Sequence, residues 1–116
     1  MGELTREKTM VATTKVIVLP ESRREFFQTI TPLTQRIRKE KGCLDYRVYA
    51  ETGDENSLVV IEEWAGAANW AEHRRGDNFA VLFGLLHVLS VQSKISFKLL
   101  TQVSDTLRPV PEVTEI

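Results

Sequence analysis

The chain has one cysteine, Cys43, among its 116 residues, so no intrachain disulfide can form. That usage fits a reducing compartment. It has two histidines, His73 and His87, and with a single cysteine neither a CxxC nor an HExxH ligand set can be assembled. The glycine-rich signatures GxGxxG and GxxxxGK[ST] are absent, which removes the usual nucleotide and flavin fingerprints, and so is the GxSxG nucleophile elbow. Charge of one sign is lacking as well. Fifteen lysines and arginines face sixteen aspartates and glutamates, so there is no basic stripe of the kind that displaces counterions from nucleic acid or adheres to an anionic membrane. The longest nearly apolar run, Phe79 to Leu89, is interrupted by Gly84 and His87 and reaches about half the length a bilayer span needs. No signal-peptide core precedes it. These absences predict a cytoplasmic protein with no nucleic-acid or membrane partner, whose chemistry must rest on histidine, aromatics and a shaped cavity.

What remains is ordinary globular composition, 42% apolar and 27% charged, at a length suited to one domain. Residues 1–9 read as a polar tail. Met10 to Leu19 is rich in Val, Ile and Thr and is stopped by Pro20, the pattern of a first strand. Ser22 with Glu25 has capping-box spacing. Phe26, Phe27, Ile30, Leu33 and Ile37 then recur along one helical face, with Pro32 predicting a kink near Gln28–Thr31. Basic residues crowd the last turn before Gly42 ends the helix. Cys43 to Glu51 and Leu58 to Ala65 read as two strands joined by turn residues Thr52 to Ser57, which include Gly53, Asp54 and Asn56. Gly66 to Arg75 is a short helix. Gly76 breaks it, and Asp77 can cap a second stretch with Phe79, Leu82, Phe83 and Leu86 on one face. Val91 to Leu99 alternates apolar and polar, a fourth strand. The segment 104–116, carrying Pro109 and Pro111, reads as an extended tail.

The order β-α-β-β-α-β is the ferredoxin-like α+β plan, a four-stranded antiparallel sheet with both helices on one face, over residues 10–103. A sheet covered on one face should alternate apolar and polar. Val16 to Leu19 and Val59 to Ile61 are instead continuously apolar, so a second cover is needed. A homodimer supplies it most simply.

The chemically dense stretch is Glu62 to His73. Glu62 and Trp64 share a strand face, and Trp70 and His73 share a helix face. The segments Lys41-Gly42-Cys43-Leu44-Asp45-Tyr46, Ile61-Glu62-Glu63-Trp64, Trp70-Ala71-Glu72-His73 and Asn78-Phe79 together resemble the antibiotic biosynthesis monooxygenase (ABM) family, closest to its quinol-monooxygenase-like members. The resemblance implies a dimeric α+β barrel in which two sheets pair and each subunit keeps a pocket between sheet and helices. It further implies a monooxygenase with no cofactor that oxidises a small aromatic substrate, a phenol, quinol or anthrone, with O2. In that chemistry a base deprotonates the substrate and the anion reduces oxygen directly.

On this reading His73 is the catalytic base, its ordinary range suiting proton abstraction near neutral pH, or else a structural histidine tying a helix end to a strand. Thr14, Trp64, Trp70, Phe79 and Phe83 are the candidate substrate-binding residues, with Trp64 also read as core and Phe79 and Phe83 as helix-face packing. The haem-degrading branch of the same superfamily requires an asparagine near Thr14 and a histidine near Phe83. Neither is present, though Trp70 matches. His87 reads as structural, and Cys43 as a small apolar residue. Glu62, beside apolar neighbours, needs a partner, for which an arginine such as Arg47 across the hairpin, or one from the other subunit, is a candidate. A non-catalytic dimer of the same fold, binding a small molecule or serving as an interaction module, is the alternative. An ionisable group facing an apolar void would favour the enzyme.

Overall fold

The computed structural model describes residues 9–91 and the backbone of 96–101. The expected terminal tails, apart from Thr9, and residues 92–95 of the expected fourth strand lie outside the described residues. Strand β1 (Thr9–Ile17) leads through a 3-10 turn (Pro20–Ser22) into helix α1 (Arg23–Arg38). Strands β2 (Cys43–Glu51) and β3 (Asp54–Ala65) follow, then α2 (Ala67–Arg75), α3 (Asp77–Leu89) and β4 (Ser96–Thr101). This is the expected ferredoxin-like α+β fold. The sheet runs β2-β3-β1, with β4 paired along the other edge of β1, every pairing antiparallel.

Helix α1 runs continuously through Pro32. Two local expectations are corrected. Ser22 makes no side-chain cap; the 3-10 turn begins on Pro20, and the Ser22 amide donates to Leu19 O instead. The β2–β3 turn is shorter than the turn-forming residues suggested, because β3 already starts at Asp54 and Glu51 pairs with Asp54. Gly53, at φ +87°, supplies the positive φ that a two-residue connection needs.

The period of two decides what each strand buries. On β3, Leu58, Val60, Glu62 and Trp64 are buried while Val59, Ile61, Glu63 and Ala65 are only half-buried. On β1, Ala12 and Val16 are buried, and Val11, Thr13 and Ile17 on the opposite face are half-buried. The core lies on the helix side, where Phe26, Ile30, Leu33 and Ile37 of α1 and Leu82, Leu85, Leu86 and Leu89 of α3 meet Val16, Tyr46, Leu58, Val60 and Trp64. Burying a large side chain of this type is worth roughly 1.5–3 kcal/mol. Beside Leu44 the pairing of β2 with β3 slips by one residue: Cys43 faces Trp64, but Asp45 already faces Glu63. That bulge leaves Leu44 exposed and aims both Cys43 and Tyr46 at the core face. No helix among the described residues is long and apolar enough to cross a membrane.

Candidate active site

Strand β3 carries Trp64 just before its last residue, Ala65, and turns through Gly66 into α2, so the strand end and His73, two turns into the helix, meet at one end of the sheet. Gly66 sits at φ +89°, a backbone shape that favours glycine. His73 is 2% exposed. Its ring stacks on Trp64 at 4.5 Å between centroids and meets the edges of Phe79 (5.6 Å) and Tyr46 (6.3 Å).

Two carboxylates flank the imidazole. Nδ1 lies 3.0 Å from Glu40 Oε1. A carboxylate can only accept, so this contact places the ring hydrogen on Nδ1. The other oxygen of Glu40 accepts from Asn78 Nδ2 at 2.8 Å, and Asn78 Oδ1 accepts from Arg36 at 3.4 Å. Nε2 has no hydrogen-bond partner among the described residues, and Glu62 Oε1 stands 3.8 Å from it. Glu62 accepts from Trp64 Nε1 at 2.7 Å. Burial raises the Glu62 carboxyl above the ordinary range, an effect that the Trp64 bond and the charges of His73 and Arg74 oppose.

Tyr46, directly across the ladder from Glu62, is fully buried, and its hydroxyl has no partner among the described residues. Desolvation, followed by the Glu62 charge, drives its ionisation far above the usual tyrosine range. The Cys43 thiol is pushed up to about 11 by burial and by Glu40, Glu62 and Asp45. It stays protonated at neutral pH and is no nucleophile.

A cavity of about 500 Å³ reaches His73 from outside, between the end of α1 and α2, lined by Glu40, Lys41, Ala68, Asn69 and Glu72 as well. Its walls carry the ionisable groups of Glu40, Lys41, Glu72 and His73. Expected residues distribute unevenly around it. Trp64 and Phe79 pack on His73 without lining the cavity. Trp70 is half-buried with the Arg74 guanidinium 4.9 Å above its ring, and Arg74 also lies 5.5 Å over Phe79. Thr14 sits half-buried on the helix side of β1 opposite Val60, four residues and so about 13 Å from the level of Trp64. Phe83 is a correction. It is 56% exposed, because the buried stripe of α3 runs through Leu82, Leu85, Leu86 and Leu89, which turns Phe83 outward beside His87. Arg47 is a second correction: it faces Ile61 across the ladder and binds Asp45 at 2.9 Å, leaving Glu62 to Trp64 and His73.

Glu40 and Asn78 hold and orient the histidine, yet sequence spacing did not single them out as site residues. One signal for Glu40 was available, since an acidic residue just beyond a helix C-terminus opposes the helix dipole and so needs another reason to be there.

The family model for antibiotic biosynthesis monooxygenases matches residues 9–83. The chain belongs to the antibiotic biosynthesis monooxygenase family. Over 62 residues it is 34% identical to the Bacillus subtilis (strain 168) protein "Putative monooxygenase YcnE". The match covers 53% of this chain and 65% of that protein, so it spans just under two thirds of the relative's length. A conserved protein from Methanosarcina mazei Go1 superposes with a TM-score of 0.74 at 29% identity, covering 80% of this chain and 91% of that one. Rv0793 from Mycobacterium tuberculosis superposes with a TM-score of 0.76 at 17% identity over 85% and 99% of the two chains, a likeness of fold alone. The ABM match takes in Glu40, Glu62 and His73.

Proposed function

We propose that this ABM-family chain is a monooxygenase that needs no cofactor and oxidises a small aromatic hydroxyl compound, a phenol, quinol or anthrone, with O2. One observation carries the reading: Glu40 accepts a hydrogen bond from Nδ1 of a buried histidine, which leaves Nε2 as an acceptor with no partner among the described residues. Holding the imidazole in one tautomer in this way is what a general base requires. In the step proposed, the substrate O–H bond breaks, the proton goes to Nε2, and the electron pair stays on the substrate. The anion then reduces O2. A C–O bond forms at a ring carbon that carries hydrogen, the peroxide anion takes the proton back from Nε2, and loss of water from the resulting hydroperoxide, with that carbon's hydrogen, leaves the carbonyl of the quinone. Trp64, Phe79 and Tyr46 keep water from the ring of His73, which favours transfer to the base over exchange with solvent.

The proposal includes a homodimer in the cytoplasm. Val11, Ile17, Val59 and Ile61 are half-buried on the sheet face away from the helices, and Tyr49 on that face is 50% exposed. A second copy's sheet would cover them in the manner of an α+β barrel.

Oxygen uptake over a panel of hydroquinones and anthrones tests the activity. Wild type should consume O2, and His73→Ala should lose about 10²–10⁴-fold in kcat, the usual contribution of a positioned base. A folded wild-type protein inert across the panel, or a His73→Ala variant of undiminished rate, would overturn the reading.

A further inference from the structure

The mechanism above uses Glu40 and leaves Glu62 without a task. Glu62 is 4% exposed, sits in mid-strand among apolar neighbours, and points the same way as Trp64. Its direct hydrogen bond is the neutral indole N–H of Trp64. A buried carboxylate held by one neutral donor is costly, and cores rarely keep one without a charged partner. The nearest candidate is the Nε2 of His73 at 3.8 Å, too long for a good hydrogen bond but within ion-pair range.

We propose that Glu62 is the counter-ion of His73: the two side chains share the proton taken from a substrate hydroxyl, and the site therefore takes substrates that arrive uncharged. The inference rests on the monooxygenase reading for the source of the proton, but the pairing itself does not. With the imidazole neutral, Glu40 and Glu62 leave two negative charges around the ring. Accepting a proton at Nε2 lowers that to one, so protonation of His73 relieves a repulsion instead of adding a lone buried charge. The proton comes from the substrate O–H, whose electron pair remains on the substrate oxygen.

Other ionisable groups face the pair from each neighbouring element. Cys43 and Tyr46 of β2 remain protonated at neutral pH. Arg74 of α2 acts on Glu62 from a distance and lies over Trp70 and Phe79. The residues that α3 presents, Asn78 and Phe79, carry no charge. At the cavity, Lys41 stands beside Glu40 and Glu72, and Arg75 binds Glu72 at 2.9 Å. An anionic substrate at Nε2 would face the carboxylates of Glu40 and Glu62 on either side of the ring, whereas a neutral hydroxyl compound meets no such barrier.

Trp64 reports on the pair directly, because a protonated imidazole stacked at 4.5 Å quenches indole emission. In a Trp70→Phe background, Trp64 fluorescence should fall in one step as pH is lowered. Adding Glu62→Gln should move the midpoint to lower pH by about one unit or more, the size expected when an opposite charge within about 4–6 Å is removed. Glu62→Asp, which keeps the charge, should restore most of that shift. A midpoint that Glu62→Gln leaves in place, with the protein folded by circular dichroism, overturns the pairing whether or not the enzyme turns over. If the fluorescence result holds while oxygen uptake is nil, the pair stands and the monooxygenase reading falls. The charge preference is read by calorimetric titration at pH 7 with hydroquinone and with 2,5-dihydroxybenzoate. Hydroquinone should bind at least about tenfold more tightly, and equal or tighter binding of the carboxylated compound would overturn it.

Discussion

Replacing Gly42 with alanine tests how the cavity wall is built. Gly42 lies just before β2 with φ +82°, and a Cβ there would fall inside 3.0 Å of three side-chain atoms of Asn69. Two penalties follow. An alanine at positive φ costs on the order of 1–2 kcal/mol. The contact also forces Asn69 to move, and Asn69 donates to the carbonyl of Ala65 at 2.6 Å, at the junction of β3 and α2. Loss of that bond adds about 0.5–1.5 kcal/mol. The expected destabilisation is therefore about 1.5–3.5 kcal/mol, a large share of the roughly 5–15 kcal/mol that holds a domain of this kind together. Urea unfolding followed by tryptophan emission measures it as a lower midpoint at unchanged slope. The double variant Gly42→Ala with Asn69→Gly separates the two penalties, because the Asn69 Cβ is itself one of the three atoms that the new Cβ would meet. Measured against Asn69→Gly alone, adding Gly42→Ala should cost only the backbone part. Gly42→Ala within about 0.5 kcal/mol of wild type would refute the reasoning. Equal costs for Gly42→Ala with and without Asn69 would show that the contact with Asn69 carries no energy.

Glu62→Gln should stabilise the fold increasingly as pH rises. Burial raises the folded carboxyl above its unfolded value, so the native state binds more protons than the unfolded chain and wild-type stability falls as pH climbs through the raised value; urea midpoints at pH 5 and pH 8 that give the same difference between variant and wild type would contradict this. Phe83→Ser should change stability by no more than about 0.5 kcal/mol, as for other surface positions, and a loss above 2 kcal/mol would return Phe83 to the core. Ile61→Lys places a charge on the outer sheet face opposite Arg47 and should convert a dimer to monomer in sedimentation velocity; an unchanged dimer would move the interface elsewhere.

Periodicity carried the sequence a long way. The extent of β2, the two-sided apolar character of β1 and β3, and the burial of Phe26, Ile30, Leu33 and Ile37 all follow from spacing, because side-chain direction is fixed locally by the strand period of two and the helical 3.6. The same rule went astray at Phe83, where an apolar helix leaves several candidate stripes and only packing against α1 and the sheet selects Leu82, Leu85, Leu86 and Leu89. The segments that resemble the ABM family pointed to Glu62, Trp64 and His73, and a strand running straight into a helix was enough to bring them to one end of the sheet.

The partners of His73 were beyond local reasoning. Glu40 is 33 residues away from it and Asn78 is 38 from Glu40, so those contacts exist only once α1, α2 and α3 have packed together. The bulge at Leu44 had the same standing, since a one-residue slip in a ladder leaves no mark on composition yet decides that Tyr46 faces Glu62. The sequence by itself determined the order of elements, their buried faces and which histidine lies among aromatics. Tertiary structure decided which carboxylate orients that histidine and which one stands 3.8 Å from its buried Nε2, because both distances are set by the packing of elements far apart in the chain.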